Sequence, residues 1–278
     1  MNPKLVILME LNKDNYYSRE ANLYYMSVSQ FKSFLPAYGG CEARAMAVLH
    51  GEFVPEPVEA FLEGHYLHAW NEGTLSDFKA NNPKLYSSRG NTAGQLKSNF
   101  KHCDKMIAAL ESDPLVMKTL AGQKEVIMTA ILFGIPWKIM LDSYQPEVGL
   151  FADLKAMKEI DGKFWNVEAG VYENFIDHYG YNVQVSVYAE VERLHKKQSE
   201  WLIPNLVVVT KQDPPDKEII YFDFDDIEQG LHIVGKHIER VKSVKSGAVE
   251  PVRCEKCDYC RLTKKINRIK HFSELSLY

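Results

Sequence analysis

Three ionisable residues share an otherwise apolar stretch, "DSYQPEVGLFADLK": Asp142, Asp153 and Lys155. Asp153 and Lys155 are two apart, so on a strand they point to one face. Two arrangements satisfy this pattern. In one, Asp142 ends a strand and the other two lie on a solvent-facing strand, where acids and lysines usually are. In the other, segments 137–142 and 149–155 pair across the Gln145–Pro146 turn and the two carboxylates converge. Converging carboxylates repel one another unless a divalent cation lies between them. Oxygen ligands suit Mg²⁺ or Mn²⁺. An amine on the same face could then orient a water for in-line attack on phosphorus.

A second set of chemically able residues is sulfur-based. Of five cysteines, three crowd into "CEKCDYC" as Cys254, Cys257 and Cys260, and Cys41 follows "SVSQFKSFLPAYGG" far upstream. Four thiolates can hold a [4Fe–4S] cluster or a Zn²⁺; a reduced cluster without metal satisfies the spacing too. The odd count and the absence of a signal-peptide pattern argue against a disulfide framework and for a cytoplasmic location. Cys103 reads as a free buried thiol. Charge is uneven around the cysteines. Residues 236–270 carry eleven Lys/Arg against four Asp/Glu, a local +7 in a chain of net −4, which leaves −11 for the rest. A basic segment on an acidic body can be a footprint for a polyanion or a solvated face.

The elements that must position these groups follow from periodicity and breakers. Residues 27–50 read as helix in two pieces, broken at Pro36 and Gly39–Gly40. Pro55 and Pro57 open a helix to about Gly73, residues 75–95 read as a polar loop, and 95–121 as one or two helices with a break at Asp113–Pro114. Short apolar runs then alternate with turn signals, which predicts an antiparallel meander through about residue 157. Helix is expected over about 164–198, a strand–turn–strand around "QDPPDKE", and a last helix over about 225–244. The N-terminal "MNPKLVILMELNKD" reads as a strand or tail. At 278 residues and 46% hydrophobic, the chain has the composition of a globular protein with a sizeable core. No apolar run approaches the roughly 20 residues of a membrane span. The simplest organisation is one α/β unit over 1–278: a helical part to about 121, a core over about 122–245, and a basic cysteine-containing segment over 246–278.

Asp142-(x10)-Asp153-x-Lys155 resembles the PD-(D/E)XK nuclease signature, and other features stand in the order such nucleases use. The resemblance covers Ser27 to Arg261 and implies a restriction-endonuclease-like core, a mixed sheet flanked by helices. It implies Asp142 and Asp153 as metal ligands with the Leu154 carbonyl, and Lys155 as the residue that orients or deprotonates the attacking water. Gly64-x-x-x-His68 in "EGHYLHAW" is similar to the helix that supplies a metal-binding histidine in RecB-, RecE- and λ-exonuclease-like proteins; His65 is its neighbour and competitor. Glu125, expected in the strand before the hairpin, resembles the additional acid of such sites. Gln184-x-x-x-Tyr188 in "VQVSVYAEV" resembles the Gln-x-x-x-Tyr motif downstream of the lysine; the flanks favour a helix, although Val183, Val185 and Val187 alternate as a strand would. Cys41 with Cys254, Cys257 and Cys260 resembles the iron–sulfur staple of AddB-type nucleases, with a shorter last gap. What the resemblance implies is an Mg²⁺- or Mn²⁺-dependent DNA exonuclease, of the phage type that resects duplex ends 5′→3′ for a single-strand annealing protein and forms homo-oligomeric rings. The alternatives are an AddB/RecB-like or CRISPR-adaptation-type nuclease subunit, or a non-catalytic nucleic-acid-binding protein built on the basic segment.

Overall fold

The computed structural model describes residues 9–56, 59–166 and 170–274. The first eight residues of the expected N-terminal strand or tail, and Pro57 of the expected helix opening, lie outside the described residues. Short helices come first. In α1 (Arg19–Tyr24) and α2 (Val28–Phe34), the Ser18 and Ser27 hydroxyls accept from the Ala21 and Gln30 amides. Such caps satisfy amides that a helix N-terminus leaves unpaired. Pro36 and Gly39 interrupt the chain before α3 (Glu42–His50), where the breakers predicted an interruption. Next come α4 (Glu59–Glu72), α5 (Leu75–Asn81), α6 (Ser98–Glu111) and α7 (Pro114–Thr119). The expected loop over 75–95 thus contains a helix. Its Leu75 and Phe78 pack on the core that α4 and α6 share, a contact that the polar average of the stretch conceals.

The strands depart from a simple meander. β1 (Val126–Leu132) and β2 (Ile135–Leu141) form an antiparallel hairpin. Phe133 and Gly134 close it with φ of 50° and 75°, the left-handed pair that matches strand twist. That turn corrects the expected pairing of 137–142 with 149–155. Instead, short β3 (Ser143–Gln145) pairs antiparallel with β4 (Leu150–Met157). The helix expected over 164–198 begins late. A small hairpin of β5 (Phe164–Asn166) and β6 (Val171–Glu173), with Trp165 edge-on to Tyr172 at 5.1 Å, precedes α8 (Phe175–Tyr179) and α9 (Tyr181–Lys196). β7 (Ile203–Thr210) then lies parallel to β4, and β8 (Lys217–Tyr221) antiparallel to β7. The sheet order is β3-β4-β7-β8. It is mixed because the crossover through α8 and α9 brings the chain back to run beside β4 in the same direction. α10 (Phe224–Lys245) and α11 (Asp258–Leu262) complete the chain.

The result is a mixed α/β architecture, with helices on both faces of the central sheet. Period two sorts β4 between them. Ala152 and Leu154, with Val207 and Val209, face the layer of α4, α6 and α7. Met157, with Leu206 and Val208, packs with Val185 of α9. A strand buried on both faces has no solvent side for charges, so Asp153 and Lys155 must be answered by protein groups. Among the described residues, no helix is long and apolar enough to cross a membrane.

α9 and α10 approach closely at Gly230, where an added Cβ would stand 2.1 Å from Ser186 Oγ and 2.8 Å from the Asn182 carbonyl oxygen. Gly230→Ala is therefore expected to cost about 1–3 kcal/mol, read as a lower urea midpoint with an unchanged slope. An unaltered midpoint would contradict this packing.

Candidate active site

Asp142 lies between β2 and β3, one residue beyond the ladder that pairs Ser143 with Ala152. The same register carried one step further sets it opposite Asp153. The residue is 6% exposed, and its polar atoms are held from two sides. Oδ2 accepts from the Leu154 amide at 2.7 Å, and Oδ1 stands 3.3 Å from His68 Nδ1. The Asp142 carbonyl accepts from Asn71 Nδ2 at 3.1 Å. Asn71 is three residues beyond His68 on α4, so one helix face holds both the side chain and the backbone of Asp142. Lys124 Nζ braces the arrangement, donating to Asn71 Oδ1 at 2.8 Å and Ser143 Oγ at 3.0 Å. Leu154, expected as a carbonyl ligand, meets Asp142 through its amide.

Glu125 is not inside a strand. It sits immediately before β1 with φ 53°, a left-handed conformation that non-glycine residues seldom adopt. Gly122 (φ 87°) makes the bend feasible, since a Cβ there would come 2.5 Å from the Tyr144 carbonyl oxygen. The close approach lets Gln123 exchange two backbone hydrogen bonds with Tyr144, at 3.0 and 2.8 Å, just before the chain turns at Glu125. Ligand atoms of His68, Glu125 and Asp142 all lie within 4.8 Å of one another. His65 lines the same cavity but stands outside that group. So does Asp153, whose Oδ1 accepts from Gln184 Nε2 at 2.8 Å. Its Oδ2 meets Lys155 Nζ at 2.7 Å and takes no well-directed hydrogen bond.

The charges explain the titration. Two carboxylates at this spacing repel by on the order of 3 kcal/mol at an effective dielectric near 20. Burial first, and the Asp142 charge second, push the Glu125 carboxyl up to about 7. For Asp142, burial raises the pKa, but His68, Lys155 and the Leu154 amide outweigh it and hold the group below its usual range. The Asp142 charge raises His68 against its burial. Burial raises Asp153 against the pull of Lys155. Lys155 itself is raised, because Asp153 and Asp142 outweigh its burial. One imidazole and two crowded carboxylates, one of them kept protonated in the absence of a counter-charge, fit a divalent cation such as Mg²⁺ or Mn²⁺.

The alternation of Val183, Val185 and Val187 does not make a strand; Gln184 and Tyr188 lie on α9, and both line the cavity. Burial lifts the Tyr188 phenol well above its usual range. Sequence reasoning misses Tyr181, whose ring lies 5.5 Å from Lys155 Nζ. Its spacing of three from Gln184 and seven from Tyr188, one helix face, is the signal that would find it. His68, Glu125, Asp142, Asp153, Lys155, Gln184 and Tyr188 line a cavity of about 950 Å³, whose wall also takes in Arg19, Lys32 and Arg44.

The four expected cysteines also meet. Their sulfurs all lie within 4.8 Å of one another, with Cys41 Sγ 3.6 Å and Cys254 Sγ 3.9 Å from Cys260 Sγ. Backbone amides point at them: Cys257 N donates to Cys254 Sγ at 3.3 Å, and Cys260 N to Cys257 Sγ at 3.4 Å. Although burial opposes it, the amides of Lys256 and Cys257 draw the Cys254 thiol down to about 6. Burial first pushes Cys41 and Cys257 up, and the neighbouring thiols raise them further, so it is the convergence of four sulfurs with amide donors, rather than the titration, that fits a thiolate metal site. Cys103 is buried in α6, in the core shared with α4.

A family model described as a PDDEXK-like domain of unknown function (DUF3799) matches residues 27–263. The chain belongs to this PDDEXK-like family. A crystal structure of a Eubacterium rectale protein, provisionally named an exonuclease, is 40% identical; the match covers 97% of this chain and 99% of that chain with a TM-score of 0.89. A second solved structure, designated SSO0001, is 15% identical over 79% of this chain and 91% of that chain, with a TM-score of 0.30. No curated protein matches the sequence.

If Glu125 is a ligand of this PDDEXK-like site, a cation must displace its proton. The Glu125 proton alone should make Mn²⁺ affinity fall by up to about tenfold per pH unit below about pH 7, with the His68 proton adding to the slope. Glu125→Gln should make that dependence shallower, leaving the part that comes from the proton His68 must also release. Without the ion, the folded chain keeps a proton that an unfolded carboxyl loses near 4.5, so this residue lowers stability as pH rises from about 4.5 to 7. Mn²⁺ titrations at several pH values check the point; a pH-independent affinity would count against it.

Proposed function

We propose that the protein is a divalent-metal-dependent nuclease that hydrolyses phosphodiester bonds of linear DNA, acting as an exonuclease. One observation carries the reading: His68, Glu125 and Asp142 converge within 4.8 Å in the same cavity as the Asp153–Lys155 pair. Membership in the PDDEXK-like family and the exonuclease name of the Eubacterium rectale relative support it.

A bound Mg²⁺ or Mn²⁺ would supply Lewis-acid polarisation of the phosphate and acidify the attacking water. His68, Glu125 and Asp142 would hold it, with Asp153 entering as a further oxygen donor once its Lys155 contact loosens. The Leu154 amide fixes Asp142 Oδ2, which leaves Oδ1 for the ion. Lys155, kept charged by its acidic neighbours, offers N–H donors to the attacking water and to a phosphate oxygen as negative charge grows there. Gln184 sets which Asp153 oxygen faces the lysine. Tyr188 and Tyr181 close the site on the α9 side. The finer form of the reading is 5′→3′ resection of duplex ends for a single-strand annealing protein, by a homo-oligomer. It rests on the resemblance to RecE- and λ-exonuclease-like proteins.

The cysteines are proposed to hold a single tetrahedral ion, Zn²⁺, rather than a four-iron cluster. Zinc–thiolate bonds of about 2.3 Å place tetrahedral sulfurs about 3.8 Å apart; two pairs here stand at 3.6 and 3.9 Å, and all four sulfurs lie within 4.8 Å of one another. A cubane gives each thiolate its own iron and spreads the sulfurs further. Elemental analysis should find about one zinc per chain and a colourless protein. A brown protein with about four irons per chain would overturn this assignment.

The nuclease reading is tested with end-labelled linear duplex and Mg²⁺. Lys155→Ala should lose about 10²-fold or more in rate, with folding followed by its unfolding midpoint. Equal degradation by wild type and variant would sink the assignment.

A further inference from the structure

Arg44 stands where two parts of the molecule meet. It belongs to α3 and lines the cavity that holds Asp142 and Lys155. Its Nε and Nη2 donate to Asp258 Oδ1 and Oδ2 at 2.6 and 3.1 Å. Asp258 opens α11 between Cys257 and Cys260, so the cysteine segment grips an arginine of the cavity wall. The guanidinium also lies 5.7 Å from the Phe53 ring centroid, and Phe53 meets Tyr259 edge-on at 5.5 Å. Carboxylate and ring together fix the plane of the guanidinium. Its Nη1 donates no hydrogen bond among the described residues.

Stability does not account for this geometry. The two side chains are 32% and 43% exposed, and ion pairs in such positions contribute about 0–1 kcal/mol. What a bidentate fork does well is orient. The cavity wall also carries cations from the N-terminal helices: α1 to α3 contribute Arg19, Lys32 and Arg44, in addition to Lys155 beside Asp153. Following α11 in the sequence, residues 261–270 are exposed and contain Arg261, Lys264, Lys265, Arg268 and Lys270 with no acid, Arg268 being paired with Glu274. A polyanion bound at the ion would find cations on the cavity wall, and Arg44 is joined through Asp258 to the segment that runs into the basic stretch.

We propose that Asp258 is a positioning residue that holds Arg44 with Nη1 free to donate to a phosphate of the bound DNA strand, which continues along the basic stretch 261–270. The cysteine segment then acts in substrate binding as well as in closing the fold. This rests on the nuclease reading for the identity of the polyanion.

The test is fluorescence anisotropy of the full chain with a labelled duplex in Ca²⁺, across a series of salt concentrations. Arg44→Ala should weaken binding about tenfold and lower the slope of log K against log salt by about one. Asp258→Asn should reproduce most of that loss, Asp258→Glu should restore it in part, and the double variant should lose no more than Arg44→Ala. In the cleavage assay, KM should rise while kcat stays within about twofold, with the cysteine-bound metal content unchanged. Wild-type affinity and salt slope in Arg44→Ala would overturn the proposal. So would a loss in Asp258→Asn that appears only together with loss of the cysteine-bound metal. Binding is read without hydrolysis, so a wild type that binds DNA and never cleaves it would sink the nuclease reading alone.

Discussion

Asp142 answers to two elements at once, β4 and α4. One carboxylate oxygen takes the amide of Leu154 in β4, the other faces His68 of α4, and the carbonyl is held by Asn71 of that same helix. With these contacts made, α4 is docked against the sheet and the two ends of the site are in register. The cost is crowding. Glu125 comes within 4.8 Å, and Asp153 lies one strand away, answered by Lys155 and Gln184. Buried like charges are tolerated when a counter-charge is present, and here that counter-charge is a lysine on one side and room for a cation on the other.

The second centre has a different logic. Cys41 comes from the start of α3 and the other three thiols from the segment around α11, more than 200 residues later. Joining them closes a very long loop, and a tether across a long loop removes much unfolded-state freedom. Because Asp258 sits among those thiols and holds Arg44, the tether reaches the cavity through one ion pair. The two centres share α3 as a common wall, although neither contributes a ligand to the other.

Local features were legible and long-range ones were not. Ser27, Pro36 and Gly39 announced where α2 and α3 begin and break, because capping and left-handed turns depend on a few adjacent residues. Asp153 and Lys155 share a strand face by simple alternation, and Gln184 and Tyr188 share a helix face by the i, i+4 rule. The mixed α/β class followed from alternating strand and helix patterns. What stayed hidden depended on distant partners. The parallel pairing of β4 with β7 is set by the crossover between them. The left-handed bend at Glu125 follows from how closely Gly122 approaches Tyr144. The hairpin at 164–173 has aromatic residues that suit a helix surface equally well until their cross-strand partners are known. Arg44 and Asp258 are 214 residues apart, and nothing in either neighbourhood announces the other.

The central claim is that the crowded acids surround one cation. A crystal soaked in Mn²⁺, with data collected at the manganese edge, tests it directly. The account predicts one strong anomalous peak about 2–2.5 Å from oxygens of Asp142 and Glu125 and from a His68 nitrogen, with Lys155 alongside. A structure with no peak in this cavity, or with manganese bound only at surface carboxylates, would contradict it.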